Sequence, residues 1–251
     1  MSKIKKGAYR AKVLENSRIS YDIYKLKLEN REIARNSFAG QFVSILCEDL
    51  VLRRPFSVAG VKGDSFEIIY KVIGKGTEYL SRLQKGDFAD VIGAFGNGFK
   101  TENKKSLLIG CGVGIAPINF LSDVLKEKGI PHNSILCSGS KLGLEDKFNF
   151  IITEDGSSGL KGRLDNHLEL IILKTNPEKI YICGAFPAME YANSVAEQHN
   201  IDIEVALERD FACGTGVCMG CVIQVRKNNK IVNRRICKDG PVFKGGEVIW
   251  Q

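Results

Sequence analysis

A chain of 251 residues can build one large domain or two medium ones with a proper core, and its moderate apolar content and 26 glycines fit a soluble α/β protein. No apolar run reaches bilayer-spanning length and the basic start MSKIKKGAYRAK lacks a signal peptide's apolar stretch, so the expected location is cytoplasmic and the eight cysteines argue against a disulfide framework. The net charge of +7 is concentrated in residues 1–100 without a Lys/Arg block interleaved with aromatics, which reads as a solvated basic face and leaves neither nucleic acid nor a membrane as an expected partner.

From residue 9 to about 98, short runs rich in β-branched and aromatic residues are broken by Gly or Asp: 11–14, 24–28, 41–47, 56–61, 66–72 and 88–92. Their close spacing predicts a small antiparallel barrel, with one helix over 77–83 before the turn Lys85-Gly86-Asp87. From about 106 the period changes. An apolar strand at 107–109 runs into a glycine loop at 110–114, and a helix over 116–128 places Ile118, Leu121, Val124 and Leu125 at helical spacing before Gly129. Strands at 135–137, 150–153, 180–183 and 203–206 then alternate with helices at 164–173 and 188–199. That alternation predicts an open, largely parallel sheet covered by helices on both faces. The expected division is a barrel domain at 1–100, an α/β domain at 101–207 and a short, turn-rich, cysteine-bearing domain at 208–251.

The cysteines carry the sharpest chemical signal. Cys213, Cys218, Cys221 and Cys237 have the spacing C-x4-C-x2-C-x15-C, the arrangement of a plant-type [2Fe-2S] site. A loop wrapping a compact inorganic core must turn sharply and aim backbone N–H groups at sulfur, which suits Gly214, Gly216 and Gly220. A structural zinc site is the alternative, but zinc favours two C-x2–4-C knuckles and this chain has one. Cys47, Cys111, Cys137 and Cys183 sit in apolar contexts and read mostly as small buried hydrophobes.

Two weaker signals precede them. Gly110-Cys-Gly112-Val-Gly114-Ile-Ala-Pro117 lies between a strand and a helix, where bare backbone lets a diphosphate approach unpaired N–H groups at the helix start. It is not G-x-G-x-x-G, and no acidic residue ends the next strand, which runs Cys137-Ser-Gly-Ser-Lys141. Arg54-Pro55-Phe56-Ser57 offers a bidentate partner for a diphosphate and a hydroxyl for a flavin ring, although an ordinary edge strand would read the same. The three histidines, His132, His167 and His199, read as solvated, and no Ser/His/Asp or Cys/His grouping stands out as catalytic.

Taken in order with Ala39-Gly-Gln-Phe42, Gly76-Thr77 and Cys183-Gly-Ala-Phe-Pro-Ala-Met189, these motifs resemble the ferredoxin–NADP reductase superfamily. With the cluster and Cys237-Lys-Asp-Gly-Pro-Val-Phe243, the chain is similar to the electron-transfer subunits of two-component, NAD-dependent dihydroorotate dehydrogenases of pyrimidine synthesis. The resemblance implies an FAD held by Arg54 at its diphosphate, with Pro55, Phe56 and Ser57 along the ring and further contacts from Tyr70, Lys71, Val72, Gly76 and Thr77. It implies that Gly112 and Gly114 face the NAD diphosphate, that Cys183 lies near the nicotinamide, and that the four cysteines bind the cluster. Ala185-Phe186 departs from the relatives' Pro and acidic or polar residue. The implied activity takes two electrons from NADH onto FAD and passes them singly through the cluster to an FMN-containing catalytic subunit, in a heterotetramer of two of each chain. Related hydrogenase, sulfide-active or transhydrogenating ferredoxin reductase subunits share this architecture, and a zinc-stabilised binding module without redox activity is the alternative from another class.

Overall fold

The structure, a computed structural model, describes residues 8–48 and 50–250. The first part of the chain forms β1 (Ala8–Arg18), β2 (Ile23–Glu29), the short helix α1 (Arg31–Arg35), β3 (Phe42–Leu46), β4 (Arg54–Lys62), β5 (Ser65–Lys71), α2 (Lys75–Arg82) and β6 (Phe88–Phe95). The six strands close into an antiparallel barrel in the order β1-β2-β5-β4-β3-β6, sealed where Lys12 of β1 pairs with Phe88 of β6.

Side-chain alternation explains both faces of the barrel wall. Phe66, Ile68 and Tyr70 of β5 join Leu26 and Leu28 of β2 in one core. Ile69, between them in sequence, packs in another cluster with Ala59, Ile115 and Ala116. Each such burial contributes about 1.5–3 kcal/mol relative to exposure.

The second part forms β7 (Ser106–Cys111), α3 (Ile115–Glu127), β8 (His132–Ser138), β9 (Phe150–Thr153), β10 (Leu160–Lys161), α4 (Leu168–Thr175), β11 (Lys179–Cys183), α5 (Phe186–Gln198) and β12 (Asp202–Ala206). The last part adds β13 (Val222–Lys227), β14 (Lys230–Arg235), α6 (Ile236–Asp239) and β15 (Val242–Lys244). The central sheet runs β10-β9-β8-β7-β11-β12-β15 and is parallel except for β15, which pairs antiparallel with β12. Its inner strands are apolar over nearly their whole length, as a sheet covered on both faces requires.

Three differences from the sequence reading have physical causes. The helix expected over 164–173 divides at His167 into a single 3₁₀ turn at Leu164–Asn166 and α4. The segment after Glu208 is more regular than turn-rich: β13 and β14 form a hairpin through Asn228 and Asn229, both at positive φ, and β15 returns to edge the central sheet. His132 is not solvated. It is half-buried, with one ring nitrogen 2.9 Å from Ser122 Oγ and the other 3.0 Å from the Ile130 carbonyl, and His167 Nε2 lies 3.0 Å from the Lys161 carbonyl.

Specific polar contacts tie the parts together. Asn119 of α3 donates to the Ala59 carbonyl of β4 at 2.8 Å, just beyond the Arg54–Ser57 segment. Asn97, following β6, exchanges side-chain bonds with the backbone of Val242 at 2.8 and 2.9 Å, and its amide donates to the Gly240 carbonyl at 2.7 Å. Gly96 makes this junction possible: its φ is +79°, and a Cβ there would lie 2.4 Å from Pro241 Cδ and 2.7 Å from the Gly240 carbonyl oxygen. Gly96→Ala is therefore expected to destabilise the protein by about 2–4 kcal/mol, combining backbone strain with overlap. Urea unfolding of both proteins measures it, and an unchanged midpoint would refute this account of the junction.

Candidate functional site

A cleft of about 1050 Å³ opens between the barrel and the segment leading to the cysteine loop. Arg54, Pro55 and Phe56 of β4 line it together with the start of α2 (Gly74, Lys75, Gly76, Thr77), Glu208–Asp210 and Gly220. The two consecutive arginines are in different states. Arg53 is committed to Asp90, with Nη2 2.9 Å from Oδ1 and Nη1 donating to the backbone carbonyl. Among the described residues Arg54 donates only to the Leu52 carbonyl, at 2.7 Å, and it is half-buried beside the cleft.

Gly76 makes room for Arg54, since a Cβ on it would stand 3.2–3.3 Å from Arg54 Cγ and Nε. Thr77 Oγ1 accepts from the amides of Ile73 and Gly74 at 2.9 and 3.2 Å, which fixes the start of α2. A guanidinium beside a helix N-terminus is a fitting cradle for a diphosphate. The residues present thus fit the diphosphate end of FAD.

A smaller cavity of about 220 Å³ continues from the cleft past Phe56, Ser57, Tyr70, Lys71, Val113 and Ala116 to Phe211 and Pro241. Its wall is aromatic: Tyr70 stacks on Tyr24 with centroids 5.7 Å apart and meets the edge of Phe56 at 5.8 Å. Burial raises the Tyr70 phenol's pKa, partly offset by the hydroxyl's bond to Asn16 Oδ1 at 3.2 Å. A largely apolar, aromatic slot with the Ser57 hydroxyl beside Phe56 suits a planar ring system. Val72 does not line either space. It packs against the barrel core.

The glycine loop has two distinct parts. Gly112, at φ +58° with open space where a Cβ would be, lines a cavity of about 280 Å³ above β7, β8 and β9. Gly114 is buried, and a Cβ there would fall 2.4 Å from the Cys183 carbonyl oxygen, so its missing side chain lets the start of α3 sit against the end of β11. Cys111 and Cys137 stand side by side on paired strands, and the hydrogen bond with Cys111 together with burial raises the Cys137 pKa.

Cys183, at 1% exposure, sits where β11 ends, and its Sγ lies 3.6 Å from Glu208 Oε1. Glu208 was not singled out from the sequence; no spacing marks an acid that follows β12 and meets β11 only in the fold. The residue is exposed as a whole, yet its carboxyl turns inward, and loss of water raises its pKa above the ordinary 4.5, partly offset by Cys183. A carboxyl with a raised folded pKa binds more protons folded than unfolded, so its contribution to stability is present below 4.5 and is lost as pH climbs through the higher folded value. Glu208→Gln is expected to flatten that part of the stability curve above pH 4.5, and chemical denaturation across pH of wild type and variant tests it; parallel curves would contradict the inward carboxyl.

The cysteine loop is built from donors. The amides of Thr215 and Cys218 each donate to Cys213 Sγ at 3.4 Å, Gly220 donates to Cys218 Sγ at 3.4 Å and Cys237 to Cys221 Sγ at 3.5 Å. Cys221 and Cys237 bring their sulfurs within 3.3 Å of each other across the base of the β13–β14 hairpin. Burial pushes the Cys213 thiol up, but those amide bonds, together with side-chain hydrogen bonds from Thr215 and Cys218, outweigh it and bring its pKa down to about 5. Among the described residues no three metal-ligating side chains close on a single ion-sized point. Four cysteine sulfurs, three of them with backbone N–H donors aimed at them, fit the donor set of an iron–sulfur cluster. The loop rests on the barrel: Phe211 packs on Phe42 at 5.1 Å, and a Cβ on Gly214 would lie 3.2 Å from Ser44 Oγ.

Comparison with known proteins agrees with this geometry. The family profile described as the iron-sulfur cluster binding domain of dihydroorotate dehydrogenase B matches residues 208–249. The chain is 34% identical to the dihydroorotate dehydrogenase B (NAD(+)) electron transfer subunit of Caldanaerobacter subterraneus, over 96% of this chain and 98% of the relative. It is also 34% identical to the protein of the same name from Streptococcus pneumoniae, over 95% and 99%. Among solved structures, the NADH-dependent reduced ferredoxin-NADP oxidoreductase described in connection with flavin-based electron bifurcation superimposes with a TM-score of 0.85 at 28% identity, covering 97% of this chain and 91% of that one. The flavohem-like FAD/NAD binding domain of a Vibrio cholerae nitric oxide dioxygenase shares the fold, with a TM-score of 0.66 at 18% identity over 80% and 99%.

Proposed function

Because the chain belongs to the family of dihydroorotate dehydrogenase B (NAD(+)) electron transfer subunits, we propose that NADH is its reductant and that the cleft residues described above divide the work of holding FAD, NAD and a [2Fe-2S] cluster. When bound, the flavin takes two electrons from the nicotinamide and the cluster carries them away one at a time. The chain's own residues bind and orient. Arg54, with Gly76 leaving it room and Thr77 fixing the start of α2, holds the FAD diphosphate. Pro55, Phe56 and Ser57 lie along the ring, with Tyr70 and Lys71 beside them. Gly112 admits the NAD diphosphate, Gly114 sets the approach of α3 to β11, and Cys183 with Glu208 borders the nicotinamide. Cys213, Cys218, Cys221 and Cys237 hold the cluster.

The observation that carries this reading is the shared cleft: Gly220 of the cysteine loop lines the same space as Arg54 and Gly76. The electron exit is thereby built into the wall of the flavin site. On the outer side of that loop Val217 and Met219 are 81% and 51% exposed, which supports contact with an electron-accepting catalytic subunit. We take that partner to be the FMN-containing dihydroorotate dehydrogenase subunit, in a cytoplasmic assembly of two copies of each chain. We propose domains at 1–100, 101–207 and 208–251; the start of the matched profile at residue 208 supports the last boundary. Among the described residues no helix is long and apolar enough to cross a membrane. The likeness to a ferredoxin-NADP oxidoreductase keeps a second acceptor, ferredoxin or NADP, as the competing reading.

Anaerobic purification decides between these. The expected preparation shows flavin and [2Fe-2S] absorption, oxidises NADH, leaves dihydroorotate untouched alone and couples the two when the FMN subunit is added, with a native mass of two plus two. A colourless zinc-loaded protein, or unaided dihydroorotate oxidation, would defeat the proposal; efficient reduction of ferredoxin with none of the FMN subunit would favour the competing acceptor.

A further inference from the structure

At the cavity above Gly112, β8 ends at Ser138 and is followed by Gly139, without the acidic residue that usually receives an adenosine ribose. In a parallel sheet a dinucleotide lies across the carboxyl ends of the strands, with its diphosphate at the glycine loop and its ribose over the next strand. Here the glycine loop follows β7, β8 is the next strand and β9 lies beyond it. The chain past the end of β9 stays bonded to the end of β8: the Glu154 amide donates to the Ser138 carbonyl at 3.0 Å and the Asp155 amide to the Gly139 carbonyl at 3.1 Å. These bonds fix Glu154 at the cavity rim, which it lines with Gly112, Ser138 and Gly139.

The two adjacent acids are used differently. Asp155 Oδ1 accepts from the Ser157 amide at 2.8 Å and is spent on the turn. The Glu154 carboxylate has no hydrogen-bond or ion-pair partner among the described residues, and the residue is exposed. From this we infer that Glu154 supplies, from β9, the carboxylate missing from β8: it accepts from the hydroxyls of the adenosine ribose and repels a 2′-phosphate, so the site takes the unphosphorylated dinucleotide. The inference rests on the reading of this cavity as the nicotinamide dinucleotide site. Arg163 also lines the cavity and could attract a phosphate, but it follows β10, one strand further from the glycine loop.

The test uses the full FAD- and cluster-loaded chain, comparing wild type, Glu154→Gln and Arg163→Ala. Calorimetry with 5′-AMP and 2′,5′-ADP reads the ribose preference without any flavin chemistry, and kcat/KM with NADH and NADPH, using an artificial electron acceptor, reads it in turnover. Glu154→Gln is expected to lower the NADH-over-NADPH ratio by roughly tenfold or more, through KM with little change in kcat, and to shift AMP and ADP binding in the same sense. Arg163→Ala should leave the ratio within about twofold. An unchanged ratio in Glu154→Gln, or wild-type preference for 2′,5′-ADP that Arg163→Ala removes, overturns the inference. If no dinucleotide reduces the flavin but Glu154→Gln still weakens AMP relative to ADP binding, the inference stands and the functional reading fails instead.

Discussion

Cys218→Ser is expected to lower electron delivery to a one-electron acceptor or the catalytic subunit by roughly a hundredfold, while NADH-driven flavin bleaching stays within about threefold of wild type. Cys218 is the cysteine on which this separation is cleanest. It is exposed, so replacing sulfur by oxygen leaves no cavity, whereas Cys221 and Cys237 are buried and their loss would also disturb packing. The loss has two parts, a proposed ligand and an anchor of the loop, the latter because Cys218 Sγ accepts from the Gly220 amide. Gly220 lines the cleft proposed for FAD, so flavin content must be measured alongside. Stopped-flow absorbance at the flavin band, acceptor reduction and iron content together read the experiment. Equal loss of flavin reduction and electron exit would show that the cluster and flavin are not arranged in series.

Arg54→Ala is expected to raise the FAD dissociation constant by roughly 10- to 150-fold, the equivalent of about 1.5–3 kcal/mol for one lost charge-assisted interaction. The neighbouring residue supplies the control. Arg53→Ala removes a guanidinium one position away, but one already committed to Asp90, and should change FAD affinity by less than about threefold. Titration of apoprotein with FAD, followed by flavin fluorescence, measures both. Similar losses in the two variants would mean that general positive charge, and not the placement of Arg54 against Gly76, holds the cofactor. Gly76→Ala offers an independent check, since its Cβ would press on Arg54 and Leu50 without removing any charge.

Much of this protein was legible along the chain because the signals are local. Short β-branched and aromatic runs broken by Gly or Asp in the first part and strand–helix alternation after residue 106 specify barrel and parallel sheet, and β9 falls where 150–153 was expected, because local composition and spacing report what each segment must bury. Cys213, Cys218 and Cys221 lie on one short loop, so their spacing alone carries their chemistry.

Other features depend on residues far apart in sequence. Spacing could nominate Cys237, but only the hairpin brings its sulfur to 3.3 Å from Cys221. Gly114's contact with the end of β11 and Val72's packing against the barrel core are likewise set by strands distant in sequence. Glu208 and Glu154 carried no sequence signal at all: one acquires its role by turning onto Cys183, the other by lying beside the end of β8. A sequence records what each segment must bury, and that determined the fold class and the cluster. Which strands become neighbours is settled by packing the whole chain at once, and that decided the walls of the cleft.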